Sequence, residues 1–174
     1  MIHNIFWDID ETLLHSSMQQ PFNKDHIETK LDDDEPVFTI FRPCAVSLIE
    51  FSRELVGREN VFILTTSVKD YANRMNEAGG FGFRPDQIFH RGTIRDHRIA
   101  GCYGAFYRMQ PHTQANPNNV LIDNLPLRYN SEKANLIGIK SDRYFQIRDY
   151  HGVNFPNDPF ESQCKEFLTT LHNE

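Results

Sequence analysis

Asp8 and Asp10 stand two residues apart where an apolar run ends, in Ile5-Phe6-Trp7-Asp8-Ile9-Asp10-Glu11-Thr12-Leu13-Leu14. Side chains at i and i+2 leave a strand on one face, so the two carboxylates can converge where the strand opens into a loop. An unpaired carboxylate is costly to desolvate, so a buried strand has no ordinary reason to finish this way. Converging carboxylates make a hard oxygen site suited to Mg2+. One of them can attack phosphorus while the other moves protons. For Asp-x-Asp alone, the plain alternative is a strand closing in an acidic turn.

The elements that must carry these residues follow from the hydrophobic pattern. Residues 2–7 predict a fully buried strand. From about 15 to 41 the sequence turns polar and acidic. Ile27 to Leu31 and Val37 to Phe41 alternate there like two short strands around Asp32-Asp33-Asp34-Glu35, so a small β insertion with a solvated acidic tip is expected. Arg42-Pro43 opens a helix that closes near Gly57. Val61 to Leu64 predicts a second buried strand running into Thr65-Thr66-Ser67, then a helix over about 68–79. Val120 to Ile122 predicts a third strand, ending in Asp123-Asn124. A fourth is expected at 135–139, and a last helix at about 160–172. Strands alternating with helices predict an α/β, Rossmann-like, doubly wound, mainly parallel sheet, formed as a single domain over 1–174. Such sheets place their sites at the carboxyl ends of the strands. Asp8, Asp10, Thr65 and Asp123 all fall at such ends.

Bulk properties narrow the class. A hydrophobic fraction of 39% and a charged fraction of 24% fit a soluble globular domain. No apolar run approaches the roughly 18 residues of a membrane span. A first strand starting at Ile2 leaves no room for a signal peptide, so a cytoplasmic location is expected, or a nuclear one in a eukaryote. Three scattered cysteines, Cys44, Cys102 and Cys164, argue for a reducing compartment and show no metal-ligand spacing. None of the eight histidines forms a metal pair at helical spacing, so zinc finds no support. A net charge of -6 gives no general attraction for nucleic acid or anionic membrane.

Taken in order, Asp8-Ile9-Asp10-Glu11-Thr12, Leu64-Thr65, a later basic residue and Ile122-Asp123-Asn124 resemble the haloacid dehalogenase (HAD) superfamily of phosphohydrolases. Residues 8–17, Arg42-Pro43, Thr65-Thr66-Ser67 with Tyr71-Ala72, and residues 121–126 narrow the likeness to the small carboxy-terminal-domain phosphatases. That family removes phosphate from serines of the RNA polymerase II tail and related phosphoproteins. It has a short β insertion and no large cap domain. The resemblance implies an Mg2+-dependent phosphatase acting on phosphoserine or phosphothreonine through an aspartyl-phosphate. Asp8 would be the nucleophile and Asp10 the acid and base. Mg2+ would be held by Asp8, the Asp10 backbone carbonyl, Asp123 and Asn124. Thr65 would bind phosphate, Thr12 would order the loop, and Tyr71 would line the pocket.

The family's third motif is normally a lysine, and here the chain departs from it. His90-Arg91-Gly92 matches a tripeptide that precedes that lysine, but residues 103–108 reproduce the glycine-to-basic pattern and end 15 residues before Asp123. This selects Arg108 as the phosphate-binding cation, with Arg95 and Arg98 as alternatives. Arginine keeps the charge with a different geometry, so reduced activity is expected. The stretch from about 140 to 158 is also longer than in the small phosphatases. Plainer roles stay open: Thr65 as a strand-end threonine, Arg108 as a surface arginine, Asn124 as a turn residue, Tyr71 as helix packing. Two further readings of function stand beside the first. One is a phosphatase for a small phosphometabolite or a nucleic-acid end. The other is a phosphatase-like binding module that has lost turnover.

Overall fold

The computed structural model describes residues 1–21, 26–30, 36–90, 115–153 and 159–174. In chain order the elements are β1 (Ile5–Trp7), β2 (Leu14–Ser17), β3 (Ile27–Lys30), β4 (Pro36–Phe41), α1 (Ala45–Val56), β5 (Val61–Leu64), α2 (Lys69–Ala78), β6 (Ile88–Phe89), β7 (Val120–Asp123), α3 (Ser131–Leu136), β8 (Tyr144–Gln146) and α4 (Phe160–Asn173). Five strands form one parallel sheet in the order β6-β5-β1-β7-β8. β1 lies at its centre, paired Ile5 to Val61 on one side and Ile5 to Val120 on the other. β2, β4 and β3 form a separate antiparallel sheet, which is the expected β insertion. No large cap domain occurs among the described residues. The acidic run 32–35 lies outside them.

The central strands are apolar throughout because both faces of the sheet are covered. Alternation then divides each strand between two cores. Ile5, Trp7, Ile63 and Ile122 face the side covered by Leu48 and Ile49 of α1 and by Cys164 and Leu168 of α4. Phe6, Phe62, Leu64, Phe89, Leu121 and Ile137 make the opposite core. There the Phe6 and Phe62 rings stack with centroids 5.3 Å apart. Each such side chain contributes about 2–3 kcal/mol by leaving water. Ala45, Leu48, Ile49 and Ser52 give α1 its buried stripe at i, i+3, i+4 and i+7. Ser52 accepts a hydrogen bond from Trp7 Nε1 at 3.3 Å, which ties α1 to the central strand.

One expected element is corrected. Residues 135–139 do not form a strand. The segment enters helix α3, and the last strand is instead β8, where Leu121 pairs with Tyr144 and Ile122 with Phe145. A short apolar run does not distinguish strand from helix. Gly138 decides it: with φ of 69°, it takes the left-handed conformation that ends a helix. Its N–H reaches Asn135 O and the next N–H reaches Ala134 O, each at 3.1 Å. A Cβ on Gly138 would also sit 2.9 Å from Ala115 Cβ, so both room and φ require glycine. The first strand is shorter than expected, beginning at Ile5 rather than Ile2.

Candidate active site

β1, β5 and β7 end side by side, and this adjacency assembles the site. Trp7 pairs with Ile63 and with Ile122, and Asp8 N–H donates to Ile122 O at 3.0 Å, so the three strands end within about a residue of one another. Asp8, Thr65 and Asp123 are all buried. After Asp8 the chain winds back on itself, with the N–H groups of Thr12 and Leu13 both donating to Ile9 O. That turn requires Glu11 at φ 58°, a left-handed conformation uncommon outside glycine. Arg42, itself buried, fixes it from below. Its Nε donates to Thr12 O at 2.7 Å, and its NH2 group to Arg148 O at 2.6 Å and Glu11 O at 3.4 Å. The guanidinium lies over the Tyr150 and Phe160 rings at 4.9 and 4.7 Å.

Lys133 is the residue that sequence reasoning missed. Its ammonium donates to Asp8 Oδ1 at 2.6 Å and to Asp123 Oδ2 at 2.7 Å, with all three side chains at most 8% exposed. It comes from α3, after Asp123 in the chain, whereas the family order places the basic residue before Asp123. Arg108, Arg95 and Arg98 lie outside the described residues. The available signal was the helix-ending Gly138, which turns the expected fourth strand into a helix and brings Lys133 to the end of β7.

The remaining candidates fall around this pair. Thr12 Oγ1 accepts the Asn124 N–H at 3.1 Å and lies 3.4 Å from Asp8 Oδ2 and 3.3 Å from Asn124 Oδ1. Its single proton serves one of the two. Asn124 Nδ2 donates to Asp149 Oδ1 at 3.2 Å, and Asp123 Oδ1 accepts the Leu125 N–H at 2.9 Å. Asp10 has a different set of partners. Its Oδ2 accepts from Ser67 Oγ at 2.6 Å and its Oδ1 from Tyr71 OH at 2.5 Å. Burial, then the Asp10 charge, pushes the Tyr71 pKa far up, so its hydroxyl stays a donor. Tyr71 thus reaches the site instead of only packing α2. Thr65 Oγ1 accepts the Ser67 N–H at 3.1 Å, which holds Ser67 toward Asp10.

The electrostatics show an excess of negative charge. Burial, followed by the Asp123 carboxylate, raises the Asp8 pKa to about 8, with Asp10 adding to the rise and Lys133 opposing it. Asp8 and Asp123 therefore share one ammonium, with the Asp10 charge close enough to act on Asp8. A divalent cation fits this donor set, because it supplies the charge that Lys133 alone does not. Asp8, Asp123, Asn124 and the Asp10 backbone carbonyl are the groups that would hold it.

Comparison with known proteins agrees with the fold. Residues 4–173 match the family of NLI interacting factor-like phosphatases. The chain belongs to that family, a HAD-type phosphatase family. Among solved structures it is similar to Fcp1, described as an essential RNA polymerase II CTD phosphatase, with a TM-score of 0.57 and 17% identity over 99% of this chain and 49% of that one. It is also similar to a variant of the fission yeast RNA polymerase II CTD phosphatase Fcp1 bound to beryllium fluoride. There the TM-score is 0.53 and the identity 14%, over 99% of this chain and 51% of the other. The chain thus spans about half the length of these relatives. No curated protein sequence matches it. Among the described residues no helix is long and apolar enough to cross a membrane.

Proposed function

We propose that the protein is an Mg2+-dependent phosphomonoester hydrolase that works through an aspartyl-phosphate on Asp8 and acts on phosphoserine or phosphothreonine in a protein. The observation that carries this reading is the Lys133 ammonium bridging Asp8 and Asp123 where the two strands end. Phosphate monoesters resist attack because their charge repels nucleophiles and their leaving alkoxide is poor. A catalyst must therefore neutralise charge, align the attack and protonate the leaving oxygen.

Asp8 supplies the attacking oxygen. Lys133 holds that carboxylate in place, favours its ionised form and gives the incoming phosphoryl oxygens a cation. Lys133 thereby takes the role that the family resemblance gave to a basic residue before Asp123. Asp10 gives a proton to the leaving oxygen and later takes one from the water that clears the intermediate. Ser67 and Tyr71 orient it for both steps. Thr65, at the end of the neighbouring strand β5, would donate its hydroxyl to a phosphoryl oxygen. Mg2+, when bound, offsets the repulsion between the carboxylates and the phosphate.

Two features support a protein substrate. No large cap occurs among the described residues, and exposed apolar side chains, Val68 and Leu125, adjoin the two loops that carry Ser67 and Asn124. Fcp1, whose fold this chain shares, is described as a CTD phosphatase. Hydrolysis of para-nitrophenyl phosphate with and without Mg2+, beside Asp8→Asn, tests the chemistry. Metal-dependent turnover that vanishes in the variant supports the reading. Turnover retained in Asp8→Asn contradicts it. A panel of phosphoserine and phosphothreonine peptides then tests the substrate class against small phosphometabolites.

A further inference from the structure

Glu11, His15 and His151 meet beside the turn that follows Asp8, with no contact to Lys133 among their ion pairs. Their ligand atoms all lie within 4.8 Å of one another. Glu11 Oε1 is 2.8 Å from His15 Nδ1 and Glu11 Oε2 is 3.1 Å from His151 Nδ1, so one carboxylate faces an imidazole with each oxygen. The two rings stand edge to face, with centroids 5.8 Å apart. Glu11 Oε2 is shielded from solvent yet has no well-aligned hydrogen-bond donor. Glu11 also adopts the left-handed backbone conformation. The Glu11 carboxylate and the two ring nitrogens thus offer three ligand atoms within reach of one cation.

We propose that Glu11, His15 and His151 form a second metal site, separate from the Asp8 and Asp123 centre, that binds a divalent d-block cation of the zinc class. Two imidazoles and one carboxylate suit Zn2+, Ni2+ or Co2+ and are poor ligands for Mg2+, which prefers oxygen donors. Ligands of a tetrahedral zinc at about 2.0–2.2 Å stand roughly 3.3 Å from each other. The two Glu11 contacts, 2.8 and 3.1 Å and one on each oxygen, lie within about 0.5 Å of that spacing, so side-chain adjustment alone could close the site. In the metal-free protein, imidazole N–H groups take the cation's place against the carboxylate. Asp149 Oδ2 lies 3.9 Å from His151 Nε2, beyond hydrogen-bond range, and adds negative charge near the second histidine.

The position gives the site a consequence. Glu11 lies between Asp10 and Thr12, and its carbonyl accepts the Tyr150 N–H at 2.8 Å. Asp149, beside His151, accepts from Asn124 at 3.2 Å. An ion held here would clamp the turn that carries Asp10 to the segment that positions Asn124. It would do so without touching substrate.

The test is cobalt and zinc binding to the untagged full chain in excess Mg2+, compared among the wild type, His151→Ala and Asp123→Asn. The expected result is one equivalent of Co2+ with the visible spectrum of an imidazole-ligated ion, displaced by Zn2+. Asp123→Asn should retain it, and His151→Ala should bind at least tenfold more weakly. His151 is 64% exposed, so its replacement should leave the melting temperature in chelator unchanged. Imidazole NMR signals of the wild type give a readout free of any variant. Zn2+ should shift those of two histidines and leave the other six in place. Absence of a bound equivalent, unshifted imidazoles, or binding lost in Asp123→Asn but kept in His151→Ala would each overturn the proposal.

Discussion

Lys133 Nζ lies 2.6 Å from Asp8 Oδ1 although the two residues are 125 positions apart in the chain. The contact crosses from a helix after β7 to the end of β1, and it is buried on both sides. It joins Asp8 to Asp123 through a single ammonium, so a change in any of the three acts on the other two.

Replacing Lys133 with Met should therefore have two separable effects. In chelator, at a pH where Asp8 is ionised, the variant leaves two buried carboxylates without their cation, and it should lose about 3–5 kcal/mol in urea unfolding. Added Mg2+ should recover more stability in the variant than in the wild type. With Mg2+ present, kcat should still fall by about 10²–10³, the usual cost of removing one preorganised donor to a developing charge. Lys133→Arg should keep part of both.

The raised pKa of Asp8 predicts the sign of a pH dependence. The folded protein holds the Asp8 proton up to about pH 8, whereas an ordinary aspartate, with a pKa of 3.8, has released it. Between those values the folded state binds more protons than the unfolded chain, so the Asp8 contribution lowers stability as pH rises from about 4 to about 8. Asp8→Asn removes this slope. In chelator its melting temperature should exceed that of the wild type by more at pH 8 than at pH 5, a gap measurable by calorimetry.

Arg42 is expected to act on catalysis from a distance. Its guanidinium serves the carbonyls of Thr12, Arg148 and Glu11, and a lysine cannot reach them together. Hydrogen bonds from charged groups contribute about 1.5–3 kcal/mol each. Arg42→Lys should cost at least about 2 kcal/mol in denaturant unfolding, and kcat should fall while the protein remains folded.

Tyr71→Phe removes one of the two hydroxyls that orient Asp10. Ser67 remains, so the loss in kcat should be modest, about tenfold, with KM little changed. A wild-type rate in this variant would confine Tyr71 to packing.

The parts of the site legible in the sequence were those set by local pattern. An apolar run that ends in Asp8, Thr65 or Asp123 announces a buried strand and its polar end within a few residues. The helices 45–56 and 160–173 were likewise readable from their apolar spacing. What could not be read depended on tertiary placement. Residues 135–139 suit strand or helix by composition, and only the cost of any side chain at Gly138 excludes the strand. With that segment misassigned, Lys133 had no route to Asp8. Arg42 was visible as part of a motif, but its grip on three carbonyls needs the turn at Glu11. His15 and His151 approach one another only because the segment after β8 returns to the first loop.

The most direct test of the account is to trap the intermediate. The protein with Mg2+ would be mixed with phosphorylated substrate, quenched in acid within the first turnover and digested for mass spectrometry. The account predicts one added phosphoryl group on the peptide containing Asp8, labile to hydroxylamine as an acyl phosphate is and absent from Asp8→Asn. Turnover with no phosphoryl group on that peptide, or with the group on another residue, would contradict it.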